Sequence, residues 1–395
     1  MACRGTLALG AMPAATIVGD ERVTENVFGA ASCIYAAEEV SNPLRSSGRQ
    51  HADTGAGVTM KFGIFDHLDD SGLPTGKHFE DRFSLIEAYD RCGFYAYHLA
   101  EHHGTPLGMA PSPGVFLAAI AQRTKRLRFG PLVYLLPLYH PIRLIEEICM
   151  LDHMSNGRLE LGVGRGVSPI EVGFYGVDPA EGPRRFAEAL KVIRQGLTSD
   201  KLTFHGDYYS FNEVPMVLKP VQRPHPPLWY GVTKPESAYW AALEGAHVVT
   251  LSAPGAARTI FDRYRTERAQ FGGNSMPIMG IARHVVLAET EAAAVNVAER
   301  AYRPWLKHME LLWALHGLKL PLGLPPEIGP LLQIGAAFAG TAAGLREFVD
   351  QQTKTTGANY FVCDVAFGDV SLQEAMRTVN LLAREVIPFF REKAD

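Results

Sequence analysis

From Lys61 onward, short apolar runs alternate with segments in which apolar residues recur three or four positions apart. The first pattern is typical of strands and the second of helices. Gly93 is expected to end the first helix, and Asn156 and Gly157 the helix that begins at Pro141, because these residues supply left-handed caps. The predicted strands are 61–65, 94–100, 127–135, 158–164, 226–232, 246–251, 279–288 and 358–365.

The order of these elements predicts the fold class. Each predicted strand is followed by a predicted helix, which indicates an α/β fold with parallel strands. Eight such units predict a closed (β/α)8 TIM barrel. The alternative is an open doubly wound sheet. Such a sheet normally has a glycine-rich turn after its first strand, where this chain has FDHLDDSG.

Three segments depart from the alternation. Residues 1–59 lack sustained periodicity and are expected to be a disordered leader or an extended start. A signal peptide is disfavoured because the apolar stretch there has no dense leucine core. The polar piece 202–211 is hairpin-like, and 313–340, rich in Gly, Pro, Leu and Ala, is expected to be a lid-like insertion. The barrel domain is therefore predicted to span 60–395.

Composition narrows the class of protein. The chain has 395 residues, 47% hydrophobic and 20% charged, with a net charge of −4 and no long run of one sign. This argues against nucleic acid or an anionic membrane as a partner. The five cysteines are scattered without metal-binding spacing, and no apolar run is long enough to span a bilayer. A reduced, cytoplasmic protein is the simplest interpretation.

Glu101, His102 and His103 follow the second predicted strand, so they face the mouth of the barrel, where such folds carry their chemistry. Adjacent histidines on an extended chain point to opposite faces and make a poor chelate, so no metal site is predicted. An imidazole can accept and return a proton near neutral pH. His102 is therefore a candidate catalytic residue, and a purely structural role is the alternative, above all for His103.

Two further strand ends carry candidate anion-binding groups. In LGVGRG the glycines are expected to allow a ligand to approach the backbone, and Arg165 is placed to pair with a phosphate or a substrate anion. A structural salt bridge is the alternative for Arg165. In VTKPES, Pro235 suits a first helical residue, so Thr233, Lys234 and Ser237 lie at a helix entry that can bind phosphate. A well-made helix cap is the alternative there.

These motifs together resemble those of the bacterial luciferase-like flavin monooxygenases. KFGIFDH, YHLAEHHG, LDHMSNGRLELGVGRG and PPLWYGVTKPESAYWAALEG occur in the same order from residue 61 to about 245, with weaker similarity beyond. The resemblance implies that His102 lies near the flavin ring and supports catalysis, with Glu101 orienting or balancing its surroundings. It also implies a bulge, sometimes with a cis peptide, below the ring. The residues assigned to cofactor binding are Leu132, Val133, Arg165, Thr233, Lys234 and Ser237.

The function that the resemblance implies is monooxygenation of a small organic substrate. Reduced FMN, supplied by a separate reductase, would react with O2 to give a C4a-hydroperoxide inside a dry pocket. Two alternatives remain: hydride transfer with the deazaflavin F420 on the same barrel, and a non-catalytic flavin-binding relative. The family also implies a homodimer or higher oligomer. Neither the substrate nor light emission follows from these residues.

Overall fold

The computed structural model describes residues 60–272 and 277–392, and these form a barrel of parallel strands surrounded by helices. The strands are β1 (Lys61–Asp66), β2 (Ala96–Leu99), β3 (Arg128–Pro131), β4 (Tyr134–Leu135), β5 (Leu161–Gly164), β6 (Lys201–His205), β7 (Ser210–Pro215), β8 (Leu228–Gly231), β9 (His247–Thr250), β10 (Met279–Leu287), β11 (Ala337–Gly340) and β12 (Tyr360–Asp364). The predicted leader, 1–59, lies outside the described residues.

Helices follow the barrel strands along the chain and pack around the ring. They are α1 (Thr75–Cys92), α2 (Pro113–Arg123), α3 (Pro141–Ser155), α4 (Pro169–Phe174), α5 (Gly182–Thr198), α6 (Pro235–Glu244), α7 (Pro254–Gln270), α8 (Glu291–Leu315), α9 (Gly329–Gln333), α10 (Ala342–Thr356), α11 (Leu372–Leu381) and α12 (Ile387–Glu392). A π-helical turn, Leu382–Val386, joins the last two.

The strands close into a ring. They are hydrogen-bonded in the order β3-β2-β1-β12-β10-β9-β8-β5-β4, and every pair in this order is parallel. β3 and β4 flank Leu132 and Val133 and continue one another, and Phe129 bridges Leu159 just before β5. Counting β3 and β4 as one interrupted strand gives eight positions in chain order. The predicted (β/α)8 barrel is confirmed.

Local sequence signals account for the helix ends. Gly93 caps α1 with φ 76°, and Asn156 caps α3 with φ 56°, as the sequence predicts. Pro141 and Pro235 are the first residues of α3 and α6, where the missing N–H of proline loses no helical hydrogen bond. These caps fix where each helix returns the chain to the next barrel strand.

The departures from the alternation have structures of their own. β6 and β7 pair in antiparallel fashion, so the hairpin-like interpretation is confirmed. The segment 313–340 holds the end of α8, then α9, then β11, which pairs with β10 in parallel. α4 was not predicted, because six residues are too few to show a helical period.

The core of the described residues has three parts, one of which packs α8 against the ends of β10 and β11. The largest part lies between the ring of strands and its helices, and the smallest fills the barrel interior around Phe65, Trp229 and Tyr360. Cys92, Cys149 and Cys363 are free thiols. In the described part of the chain, every helix is too short or too polar to cross a membrane.

Candidate active site

The stretch that follows β2 lies at the carboxyl end of the barrel, as predicted. His102 and His103 point in different directions. The His102 ring stacks on that of His67, with centroids 5.7 Å apart, and its Nδ1 lies 3.2 Å from Oε1 of Glu171. His103 instead lies between Glu101 and the Tyr175 hydroxyl, each at 2.8 Å. His102 therefore forms a cluster with His67 and Glu171 at the mouth of the barrel, and His103 does not belong to it.

Glu171 is a site residue that the sequence reasoning missed. It lies in the first turn of α4, capped by Ser168, and is buried. One carboxylate oxygen contacts the His102 ring, and the other accepts the backbone N–H of His103 at 2.8 Å. The same carboxylate thus holds both the side chain of one histidine and the backbone of the next. The signal available in the sequence was an acidic residue shortly after LGVGRG, at the carboxyl end of a barrel strand.

Glu101 stabilises the rim of the mouth. Its carboxylate is close to His103, accepts the Leu135 N–H at 2.9 Å and accepts the Tyr139 hydroxyl at 3.0 Å. Burial raises the pKa of Glu101, and these hydrogen bonds oppose that rise. The structure therefore connects Glu101 to β4 and to His103, whereas the carboxylate beside His102 belongs to Glu171.

Leu132 and Val133 interrupt the third barrel strand, and the peptide bond between them is cis. Gly162 and Gly164 on β5 face this interruption. A Cβ on Gly162 would lie 2.0 Å from the Pro131 carbonyl oxygen, and one on Gly164 would lie 2.3 Å from Val133 Cγ2. The expectation that these two glycines admit a ligand is wrong: they make room for the neighbouring strand.

The residues predicted to bind a phosphate lie at the ends of two adjacent strands, β5 and β8. Arg165 follows β5 and is half-buried, and its charge acts on Tyr230 of β8. Within the described residues no carboxylate pairs with Arg165 at salt-bridge distance, so the structural salt bridge is not found. Thr233 and Lys234 are exposed at the start of α6, whose N-cap lacks a side-chain hydrogen bond. Ser237 lies one turn in.

These groups fit a flavin phosphate. A helix start presents backbone N–H groups and the positive end of the helix dipole. A Cβ on Gly231, at the end of β8, would meet no atom within 4 Å, so there is open space above that strand. Arg165 and Lys234 follow the two strands that end on this side of the barrel, and their positive charges would suit the double negative charge of a phosphate ester.

A second polar cluster lies deeper in the mouth, and the sequence reasoning missed it as well. Oδ2 of Asp364, the last residue of β12, lies 3.0 Å from Nδ1 of His284 and 3.9 Å from Nδ1 of His67. All three atoms are buried, and none makes a hydrogen bond of acceptable geometry. Trp305 of α8 packs edge-on against both imidazoles.

The pKa of Asp364 is shifted in the opposite direction from the pKa of Glu101. Burial raises the pKa of Asp364, but the two imidazoles outweigh it and hold the pKa below its ordinary value. The pKa of nearby Asp69 is raised, because its burial outweighs the lowering effects of His308 and Arg82. In the described residues no group of three or more His, Cys, Asp or Glu side chains is arranged to hold a metal ion.

Comparison with known proteins identifies the class to which this barrel belongs. The profile of the luciferase-like monooxygenase family matches residues 60–357. A protein of Sinorhizobium fredii, y4wF, described as uncharacterized, is 42% identical over 330 residues, covering 83% of this chain and 96% of that protein. The chain therefore belongs to the luciferase-like monooxygenase family, as its motifs predict.

Two further relatives have activities in their names. The oxygenase component of the flavin-dependent trigonelline monooxygenase of Acinetobacter baylyi is 28% identical over 262 residues, 63% of this chain and 72% of that protein. The crystal structure of monooxygenase RslO1 from Streptomyces bottropensis superimposes with a TM-score of 0.77 at 27% identity, covering 84% of this chain and 100% of that one. These relatives indicate that the chain is an oxidoreductase.

Proposed function

We propose that this chain is a monooxygenase that uses reduced FMN and O2, by way of a C4a-hydroperoxide, to oxidise a small organic substrate. The observation that carries the proposal is the placement of His102 at the barrel mouth, held between Glu171 and His67. Bound FMN would supply the activation of oxygen. The protein supplies binding, orientation, exclusion of water and a proton.

His102 is the residue that would hold or return the proton. Its Nδ1 is engaged by the Glu171 carboxylate, which fixes the ring and favours a proton on that nitrogen. Nε2 is then the atom that can exchange a proton with the reacting centre. The side chain keeps 14% of its surface exposed, so it is not sealed from solvent.

Cofactor binding is assigned to the β3–β8 side of the mouth. Arg165, Thr233, Lys234 and Ser237 would hold the phosphate, and Leu132 with Val133 would support the ring. The donor groups and the open space at Gly231 support this assignment. The barrel interior below is apolar and buried, which helps to exclude water from the reacting atoms.

The partners follow from the same proposal. Reduced FMN would come from a separate reductase, and the name of the Acinetobacter relative, an oxygenase component, supports a two-component system. We further propose a cytoplasmic homodimer or higher oligomer that acts on a small molecule, without nucleic acid or membrane partners.

Rapid mixing tests the proposal. Purified protein is loaded anaerobically with reduced FMN and mixed with oxygenated buffer, and flavin absorbance is followed. The wild-type protein is expected to hold the oxygenated flavin for longer than free solution does. The His102→Ala variant is expected to lose it about tenfold faster, because the residue that would hold or return the proton is removed.

His205→Ala is the matched control, since His205 is exposed on the β6–β7 hairpin. It should decay at the wild-type rate. Immediate return of oxidised flavin in the wild-type protein would overturn the monooxygenase proposal. The next measurement would then be F420 binding, with hydride transfer as the leading function.

A further inference from the structure

The inner face of the barrel changes character at its upper end. Side chains alternate across a strand, so residues two apart share a face. Phe65 of β1 and Val362 of β12 belong to the apolar interior. Two residues further along, the same face carries His67 and Asp364. β10 shows the same change, from Ala282 to His284.

Three strands therefore place one carboxylate and two imidazoles in a single layer that forms the floor of the mouth. β10 and β12 are in register at His284 and Asp364, so their contact is set by the sheet itself. Nδ1 of His284 faces the carboxylate at 3.0 Å, closer than Nδ1 of His67 at 3.9 Å. Among the described residues Nε2 of His284 has no hydrogen-bond partner, and 10% of the side chain stays exposed.

His284 and Asp364 lack good hydrogen-bond geometry, but at 3.0 Å the carboxylate still acts on the imidazole through its charge and can prepare it to act as a base. A carboxylate beside Nδ1 keeps the proton on that nitrogen, leaves Nε2 as the acceptor, and stabilises the imidazolium once Nε2 is protonated. Asp364 is suited to this role because the two imidazoles hold its pKa below the ordinary value, so it remains an anion.

We propose that the pair His284–Asp364 is a base that binds and deprotonates the acidic hydroxyl group of an aromatic or enolic substrate. The O–H bond of the substrate breaks, its proton goes to Nε2 of His284, and the electron pair stays on the substrate oxygen. No electrons leave either partner. The inference rests on the proposed function for the oxidation that follows, since an oxyanion is the more electron-rich substrate for an oxygen donor.

The class of substrate follows from acidity and from the surrounding rings. A free imidazole has a pKa of about 6.5 and a phenol about 10, so proton transfer to an unaided histidine is unfavourable. The Asp364 carboxylate offsets part of this cost by stabilising the imidazolium, and the pair therefore suits the more acidic hydroxyl groups, those of electron-poor phenols and enols. An aliphatic alcohol is far less acidic. The ring of Trp305 lies 4.5 Å from that of His284, and the ring of Phe367 lies 4.3 Å from it. A planar substrate would find aromatic faces and edges beside the base.

Charged and titratable groups from several elements surround the pair His284–Asp364, called the dyad below. His67 lies on the β1 side and stacks on His102, which connects the dyad to the proposed flavin side. Asp69 follows β1 and contacts His308 of α8 at 3.3 Å. Arg82 of α1 acts on Asp69 from behind the barrel. A pH profile of the base therefore has to be compared between variants, because these neighbours contribute in every one of them.

Binding of 4-nitrophenol to the FMN-free protein tests the inference. The protonated and ionised forms of this probe absorb at different wavelengths. At a pH where the free probe is mainly protonated, adding wild-type protein is expected to produce the phenolate band in a saturable way. His284→Gln and Asp364→Asn should each lose this band and bind the probe about tenfold more weakly, since an ionic hydrogen bond is lost.

Three controls make the result decisive. His205→Ala should behave as the wild type. 4-Nitroanisole, which has no ionisable proton, should produce no band. Melting curves show that each variant is folded, and two separate variants guard against the loss of one. Absence of saturable binding at millimolar probe, or an unchanged phenolate band in His284→Gln, would overturn the inference. Because flavin is absent, neither outcome depends on the monooxygenase test.

Discussion

Each end of the barrel buries a carboxylate, and the two carboxylates differ in how completely they are hydrogen-bonded. At the lower end Glu160, just before β5, is fully buried. It pairs with Arg128 and accepts hydrogen bonds from the Trp229 indole and the Tyr95 hydroxyl, the latter at 3.2 Å. At the upper end Asp364 faces two imidazoles, and its Oδ2 makes no hydrogen bond of acceptable geometry.

The difference separates stability from function. A buried polar group normally has its hydrogen bonds satisfied, and an unsatisfied one reduces stability unless a ligand completes it. The network around Glu160 is complete without any ligand and connects β2, β3, β5 and β8. The layer around Asp364 lacks such hydrogen bonds and lies at the carboxyl ends of the strands, where barrels of this kind carry their chemistry.

The largest expected effect is at the lower end. Glu160→Gln should lower the free energy of unfolding by about 3 kcal/mol, because Arg128 cannot lose its charge and is left without its carboxylate. Urea unfolding with an unchanged slope would measure this loss. Glu289→Gln, on an exposed ion pair with Arg377, is the matched control and should cost less than about 1 kcal/mol. Equal losses in the two variants would remove the basis for the comparison.

The corresponding change at the upper end should be milder. Asp364→Asn is expected to lower the free energy of unfolding by about 1 kcal/mol. The amide keeps the size of the side chain, and neither imidazole neighbour carries an obligatory charge, so no charge is stranded. A loss as large as that of Glu160→Gln would mean that the upper layer is also a structural network.

The same variant has a pH signature with a definite sign. The pKa of Asp364 in the folded protein lies below its ordinary 3.8. A carboxylate with a depressed pKa stabilises the fold above the unfolded pKa, and this contribution is lost as the pH falls toward the folded one. The difference in unfolding free energy between wild type and Asp364→Asn should therefore be full above about pH 4 and shrink below it. A difference that grows on acidification would contradict the assigned direction.

Most of the fold could be predicted because its signals are local. Gly93, Asn156 and Pro235 mark helix ends through backbone geometry that depends on one or two residues. Alternation of strands with helices then leaves few topologies. α4 and β11 were not predicted, because both are short and lie in segments rich in glycine and proline that have no hydrophobic periodicity.

The candidate site was predictable only where its residues share one motif. His102 and Glu101 lie in a single run, but Glu171 reaches His102 from another strand end, 69 residues away. The contact of His284 with Asp364 depends on the register between β10 and β12, which no single-sequence pattern encodes. The available signal was a titratable residue on the inner face of an otherwise apolar strand, MGIARHVVL.

The smallest expected effect comes from the same substitution at both ends. Tyr95→Phe removes a half-buried hydroxyl that donates to Glu160, and it should cost about 1 kcal/mol. Tyr175→Phe removes a hydroxyl from a half-exposed side chain beside His103, and water can replace that bond, so the cost should be about half as large. Urea unfolding of both variants in one buffer measures the difference. If Tyr175→Phe proved the more costly, the rim would be a stability element in its own right, and the division of the barrel into a supporting lower end and a reactive upper end would have to exclude it.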